Sequence, residues 1–218
     1  MEYCTELTVA SLLIYPQRGT AASDKAREFI RYRIKQAQGQ TIESTIGRLR
    51  EAVDAGEFGD FFGAPRTLVP VPGHAPQEDD TLWVPRQICQ AMLAAGLGTE
   101  TIPCVRRALL VDRQSTRTSA QDRLTPSQHV DSMTIEGSLM LGNRVLLVDD
   151  VVTRGATLLA AASLLRAQNP QIDIAAFALA RVGEAALEDI KQMLAPTVEL
   201  VSCDAAGTAP IRRPVAGA

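Results

Sequence analysis

The residues of this chain best suited to chemistry are Asp149 and Asp150, two adjacent carboxylates followed by Val151-Val152-Thr153-Arg154-Gly155-Ala156-Thr157. Carboxylates accept hydrogen bonds from hydroxyl groups, and a short Thr/Gly/Thr loop offers hydroxyls and approachable backbone amides to a phosphate. A sugar phosphate satisfies both halves. The elements that must hold these groups lie on either side of them. Val145-Leu146-Leu147-Val148 is a continuous apolar run, the pattern of a strand buried on both faces of a parallel sheet. Open α/β sheets bind ligands at the carboxyl ends of such strands. Leu158 to Leu165 is an Ala/Leu-rich helix whose first turn leaves amide N–H groups free to face an anion. The blander reading of the same residues is a strand that ends in two solvated aspartates and a turn.

The stretch Val145 to Thr157 resembles the phosphoribosyl pyrophosphate (PRPP) motif of the type I phosphoribosyltransferases: a hydrophobic strand, two acids and a Thr/Gly/Thr loop. The resemblance implies that Asp149 and Asp150 are the catalytic pair, taking the ribose hydroxyls and stabilising positive charge that develops on the ribose. It implies that Val152, Thr153, Arg154, Gly155, Ala156 and Thr157 wrap the 5-phosphate. A response-regulator receiver opens with a similar Val-Leu-Leu-Val-Asp-Asp string, but here about two thirds of the chain precedes it and a phosphate loop comes after it.

The remaining pattern is that of alternating strands and helices. Leu7 to Tyr15 reads as a strand ended by Pro16, and a helix follows with Ser23 as its cap and Ala26, Phe29, Ile30 and Ile34 on one face. Thr41 caps a second helix carrying Ile42, Ile46, Leu49 and Val53. Thr67 to Pro72 is a short strand that proline must end, followed by the loop Gly73-His74-Ala75-Pro76. A helix over Trp83 to Ala95 and a strand over Thr101 to Val105 come next. Asp112 to Ser132 is polar and too long for an ordinary connection, as in a lid or a disordered segment. Asn169-Pro170 breaks the chain before a strand over Ile172 to Leu179, a helix over Glu184 to Met193 and a last strand over Val198 to Ser202. The expected fold is α/β, the type I phosphoribosyltransferase fold, with a mainly parallel central sheet flanked by helices and a small hood from the N-terminal segment. Residues 1–62 form the front section, 63–204 the core and 205–218 a weakly ordered tail.

Composition narrows the function classes. The 218 residues are 46% hydrophobic with a net charge of −3, and the pI is about 5.5. No global basic field recruits nucleic acid, so direct contact with it is not expected. The first predicted helix carries Lys25, Arg27, Arg31, Arg33 and Lys35, but Asp24 and Glu28 interrupt the charge, and a solvated face is the favoured explanation. No apolar run approaches the roughly 18 residues of a membrane span. The start Met-Glu-Tyr-Cys-Thr-Glu lacks the basic opening of a secretory signal, which points to the cytoplasm. Cys4, Cys89, Cys104 and Cys203 are widely spaced and fit buried thiols better than a zinc site.

The resemblance implies three further parts. The pyrophosphate loop falls on Pro72, Gly73 and His74, and its Val-Pro-Val-Pro entry resembles the ComF-like branch. Gln77-Glu78-Asp79-Asp80 stands where that branch carries arginines, and those acids are expected to face solvent. A basic residue after the next strand falls on Arg106 or Arg107, which point apart in a strand. The closing loop falls on Asp112 to Ser132, where Arg113, Arg117 and Arg123 would meet the leaving pyrophosphate. Mg²⁺ is the implied cofactor, held through PRPP with Asp149 as a further ligand. Thr153 stands where 6-oxopurine enzymes carry an Asp, which disfavours hypoxanthine or guanine salvage, and Trp83 offers no identifiable base platform. The implied function is transfer of phosphoribosyl to an unidentified nitrogen acceptor with release of pyrophosphate. The alternative is a non-catalytic PRPP- or nucleotide-binding subunit linked to nucleic-acid processing. A homodimer or larger assembly is compatible with either.

Overall fold

The computed structural model describes residues 3–76, 82–111, 124–136, 141–208 and 210–215. Its centre is a six-stranded sheet in the order β2-β5-β6-β1-β7-β8. The strands are β1 (Glu6–Tyr15), β2 (Thr67–Pro70), β5 (Arg144–Val152), β6 (Asp173–Val182), β7 (Leu194–Ser202) and β8 (Ile211–Pro214). β2, β5, β6 and β1 run parallel, while β7 and β8 are antiparallel additions at one edge. A separate two-stranded ribbon pairs β3 (Val105–Arg107) with β4 (Met133–Ile135).

Alternation along the strands feeds two cores. Leu146 and Val148 of β5 pack on one face with Ile88 and Met92 of α3 (Val84–Ala94) and with Ile42, Ile46 and Leu49 of α2 (Gly39–Asp54). Val145 and Leu147 pack on the other face under α5 (Ala156–Gln168), whose Leu158, Leu159 and Ala160 to Ala162 are buried. Burial on both faces is why the β5 sequence is a continuous apolar run rather than an alternating one. α3, which follows β2, and α5, which follows β5, therefore cover opposite faces. The crevice between these two adjacent parallel strands is a topological switch point, the place where open α/β sheets bind ligands.

Several expectations are corrected. α1 (Ala21–Glu28) is capped by Thr20, whose hydroxyl accepts from Ser23 N. Ser23 is instead buried, and its Oγ accepts from Leu187 N at 2.8 Å. α1 then widens into a π turn over Phe29–Ile34. α2 starts at Gly39, before Thr41. The predicted strand over Thr101 to Val105 is reduced to one parallel bridge between Thr101 and Leu68 and to Val105, which opens β3 instead; between them Pro103 has no N–H to extend the pairing. The expected helix over Glu184 to Met193 is only a short 3₁₀ turn at Ile190–Met193, because the Leu187 backbone is drawn to Ser23 and Thr20 and Asp189 caps the turn.

The end of the long polar segment is also ordered. Thr125 and Gln128 form a capping box on α4 (Pro126–Asp131), and β4 comes next; residues 112–123, with Arg113, Arg117 and Arg123, lie outside the described residues, as do 77–81. The front section divides, since β1 lies inside the main sheet between β6 and β7 while α1, the π turn and α2 pack over one face. Nor is the tail loose throughout: Asp204 accepts from Thr208 N at 2.7 Å, turning the chain so that β8 pairs with β7. Among the described residues no helix is long and apolar enough to cross a membrane.

Candidate active site

β2 stops at Pro70, paired with Val148, whereas β5 continues with Asp149 to Val152 still bonded to β6. Pro70 and Pro72 cannot donate to a ladder, so the ladder ends here after a last bond from Val71 N to Val148 O at 2.9 Å. Asp149 and Asp150 thus overhang the end of β2, beside the loop that leaves it. Each carboxylate accepts from the next backbone amide at 2.8 Å, Asp149 from Asp150 N and Asp150 from Val151 N. The Asp149 carboxyl lies against the Asp150 carboxyl and feels the charges of both Arg107 and Lys35, and Asp150 Oδ2 lies 3.7 Å from Lys35 Nζ.

Burial, followed by the adjacent Asp150 charge, pushes the Asp149 carboxyl well above the ordinary carboxylate range, and Lys35 pulls it back only in part. A divalent cation would relieve that crowding, and the donor set suits Mg²⁺ held by one or two carboxylates plus substrate phosphates. Among the described residues no cluster of three or more His, Cys, Asp or Glu side chains is gathered for a metal.

Beyond the acids the chain turns at Gly155, which has φ +86° and stands as the N-cap of α5 with no side-chain cap bond. A Cβ there would also lie 2.6 Å from Val201 Cγ1. Both conditions select glycine. The first internal bond of α5 runs from Leu159 N to Gly155 O. The amides of Ala156 and Thr157 accordingly open the helix where its dipole favours an anion. Thr153, Arg154 and Thr157 are half-buried around this end, while Val152, Gly155 and Ala156 are buried. The sequence-predicted phosphate loop is therefore brought together with both acids.

The pyrophosphate-loop candidates Pro72, Gly73 and His74 lie across the crevice, held by their backbone acceptors. Trp83 Nε1 donates to Val71 O at 2.9 Å, Arg107 Nε to Gly73 O at 2.8 Å and Val111 N to His74 O at 2.8 Å. The lone tryptophan is thus a clamp on the exit of β2. Arg107 is 3% exposed and also donates to Ser132 Oγ at 2.6 Å, with His129 Nδ1 at 3.3 Å. Burial lowers its guanidinium to about 10, partly opposed by Asp149. Arg106 points the other way, over the Trp83 ring at 5.1 Å and toward Glu136 at 3.3 Å. Only Arg107 of this pair faces the acids.

Lys35 is the residue that sequence reasoning missed. Helical spacing placed it on a solvated basic face, but the π turn inserts a residue into the winding, with Lys35 N donating to Ile30 O. One residue of extra winding rotates the rest of the helix end by about 100°. No spacing rule announced that insertion.

The phosphoribosyl transferase domain family matches residues 97–201, from before β3 through most of β7. No curated protein matches the chain. Among solved structures, an adenine phosphoribosyltransferase from Leishmania donovani shares 13% identity over 81% of this chain and 78% of its own, with a TM-score of 0.34. Residues 97–201 thus form a phosphoribosyl transferase domain, and the mainly parallel sheet with helices on both faces is the type I phosphoribosyltransferase fold.

Proposed function

We propose that the protein is a Mg²⁺-dependent phosphoribosyltransferase that binds PRPP and transfers its phosphoribosyl group to a nitrogen acceptor. The observation that carries this reading is the overhang of Asp149 and Asp150 beside the open N-terminus of α5, with the Gly73 loop across the crevice. In this reading the acids accept from ribose hydroxyls, and the Thr153 to Thr157 turn suits the 5-phosphate. In the reaction the C1–O bond breaks and its electron pair leaves with pyrophosphate. The nitrogen lone pair forms the new C1–N bond, and any proton it sheds passes to solvent. When bound, Mg²⁺ supplies charge neutralisation of the pyrophosphate. The chain itself positions ribose and phosphate and excludes water, and these contributions need no covalent intermediate.

Arg107 supports the loop through the Gly73 carbonyl and places a buried positive charge on the leaving-group side. The Val69-Pro70-Val71-Pro72 entry supports a ComF-like branch. Three buried free thiols, Cys4, Cys89 and Cys104, fit a reducing cytoplasm. The test is incubation with PRPP, Mg²⁺ and a panel of bases and amines, following pyrophosphate release. Acceptor-dependent release is expected. Tight PRPP binding without turnover across the panel would instead favour a non-catalytic binding subunit.

A further inference from the structure

The crevice has two charged walls that belong to different layers of the fold. Arg107, from the ribbon, meets the Gly73 carbonyl and the Asp149 side. Lys35, from the end of the π turn, comes from the opposite layer and stands 3.7 Å from Asp150 Oδ2, with its side chain 42% exposed. Its placement is built into the backbone: the π turn over Phe29–Ile34 sets its direction, and Ala37, with φ +50°, reverses the chain immediately after. Ala37 is the only described non-glycine residue with positive φ, a conformation that costs an L-residue energy. The arginines of the same segment are directed elsewhere. Arg27 Nη1 donates to Pro16 O, Arg31 stacks on Tyr32 and Arg33 bonds Gln38. Lys35 alone of these reaches the acids.

We propose that Lys35 is a specificity residue of the acceptor site, and that the acceptor is a nitrogen compound bearing an anionic group such as a carboxylate. This inference rests on the phosphoribosyltransferase reading. Displacement at C1 brings the nucleophile in opposite the leaving group. The Gly73 loop and Arg107 mark the leaving-group side, so the acceptor enters on the Lys35 side. There a half-exposed ammonium on a flexible stem can turn from Asp150 to an incoming carboxylate while the ribose hydroxyls take up Asp150. A neutral acceptor would leave that ammonium without a new partner.

The experiment measures binding to the protein already saturated with PRPP and Mg²⁺. Heterocyclic nitrogen compounds are offered in pairs that differ only as carboxylate and carboxamide. The wild type is expected to bind the carboxylate member of at least one pair about 10- to 100-fold better, the range of one charge-assisted hydrogen bond. Lys35→Gln should reduce that ratio to about 1 and Lys35→Arg should keep most of it. Both variants should fold, since a half-exposed ion pair adds little stability. A wild type that prefers the carboxamide or shows no preference across the pairs overturns the proposal, and so does a preference that survives in Lys35→Gln. Failure of the wild type to bind PRPP is a separate result, and it would refute the phosphoribosyltransferase reading itself.

Discussion

Gly155→Ala tests the turn that joins the acids to α5. The substitution forces an L-residue to φ +86° and sets a methyl group 2.6 Å from Val201 Cγ1 and 3.2 Å from Cγ2. The left-handed conformation costs about 1–2 kcal/mol, and forcing a methyl into a packed core costs about 1–3 kcal/mol. The two together predict a loss of about 2–5 kcal/mol, or roughly 2–4 °C in Tm per kcal/mol for a chain of this size. Val201 is fully buried, so Val201→Ala alone should cost about 1.5–2 kcal/mol for the two methyl-sized groups removed. In the double variant the new methyl enters the space that Val201 vacates, so the summed losses should fall short of additivity by about 1 kcal/mol or more. Urea denaturation of the four proteins measures all of these terms. A Gly155→Ala protein within about 0.5 kcal/mol of wild type, or strictly additive losses, would refute the claim that close packing and backbone angle both require glycine here.

Three further outcomes are expected of the same geometry. Burial and Asp150 raise the Asp149 carboxyl in the folded state, so the stability it contributes is full below about pH 4, the ordinary carboxylate value, and is lost as pH rises through the raised value. Asp149→Asn should flatten that part of a Tm-versus-pH curve, and PRPP affinity of the wild type should rise over the same window as the hydroxyl-accepting carboxylate forms. Arg107→Lys keeps the charge but cannot fork between Gly73 O and Ser132 Oγ, so denaturation should show a loss of about 2 kcal/mol and kinetics a higher KM for PRPP. Trp83→Phe leaves Val71 O without its donor, which should cost about 1–3 kcal/mol by denaturant titration and also raise the KM for PRPP.

The parts of the site that were legible in the sequence are those encoded locally. Val145 to Val148 announce a strand buried on both faces, and Asp149, Asp150 and Gly155 come after it in the same continuous segment. Spacing along one strand and one turn is enough to define them. The rest depends on contacts between residues far apart in the chain. Lys35 reaches Asp150 only because a π turn rotates the helix end, and both Arg106 and Arg107 looked equally suitable until the ribbon sent one to Gly73 and the other to Trp83. The helix expected over Glu184 to Met193 fails for a similar reason, since Thr20 and Ser23 draw the Leu187 backbone out of helical pairing. β8 was hidden by a Gly, Pro and Ala-rich tail, where the pairing is set by the Asp204 to Thr208 turn and by Arg212 meeting Glu199 at 3.1 Å.

The central claim is that the overhanging acids and the α5 turn form one PRPP site, and calorimetric titration of PRPP with Mg²⁺ into wild type and Asp150→Asn tests it most directly. Replacing one oxygen acceptor of a charged pair by an amide should weaken binding at least about 10-fold, as expected for loss of a charge-assisted hydrogen bond, while the Tm stays close to wild type because Asp150 is half-buried at the crevice edge. Absence of PRPP binding to the wild type, or equal affinity in the two proteins, would contradict the account.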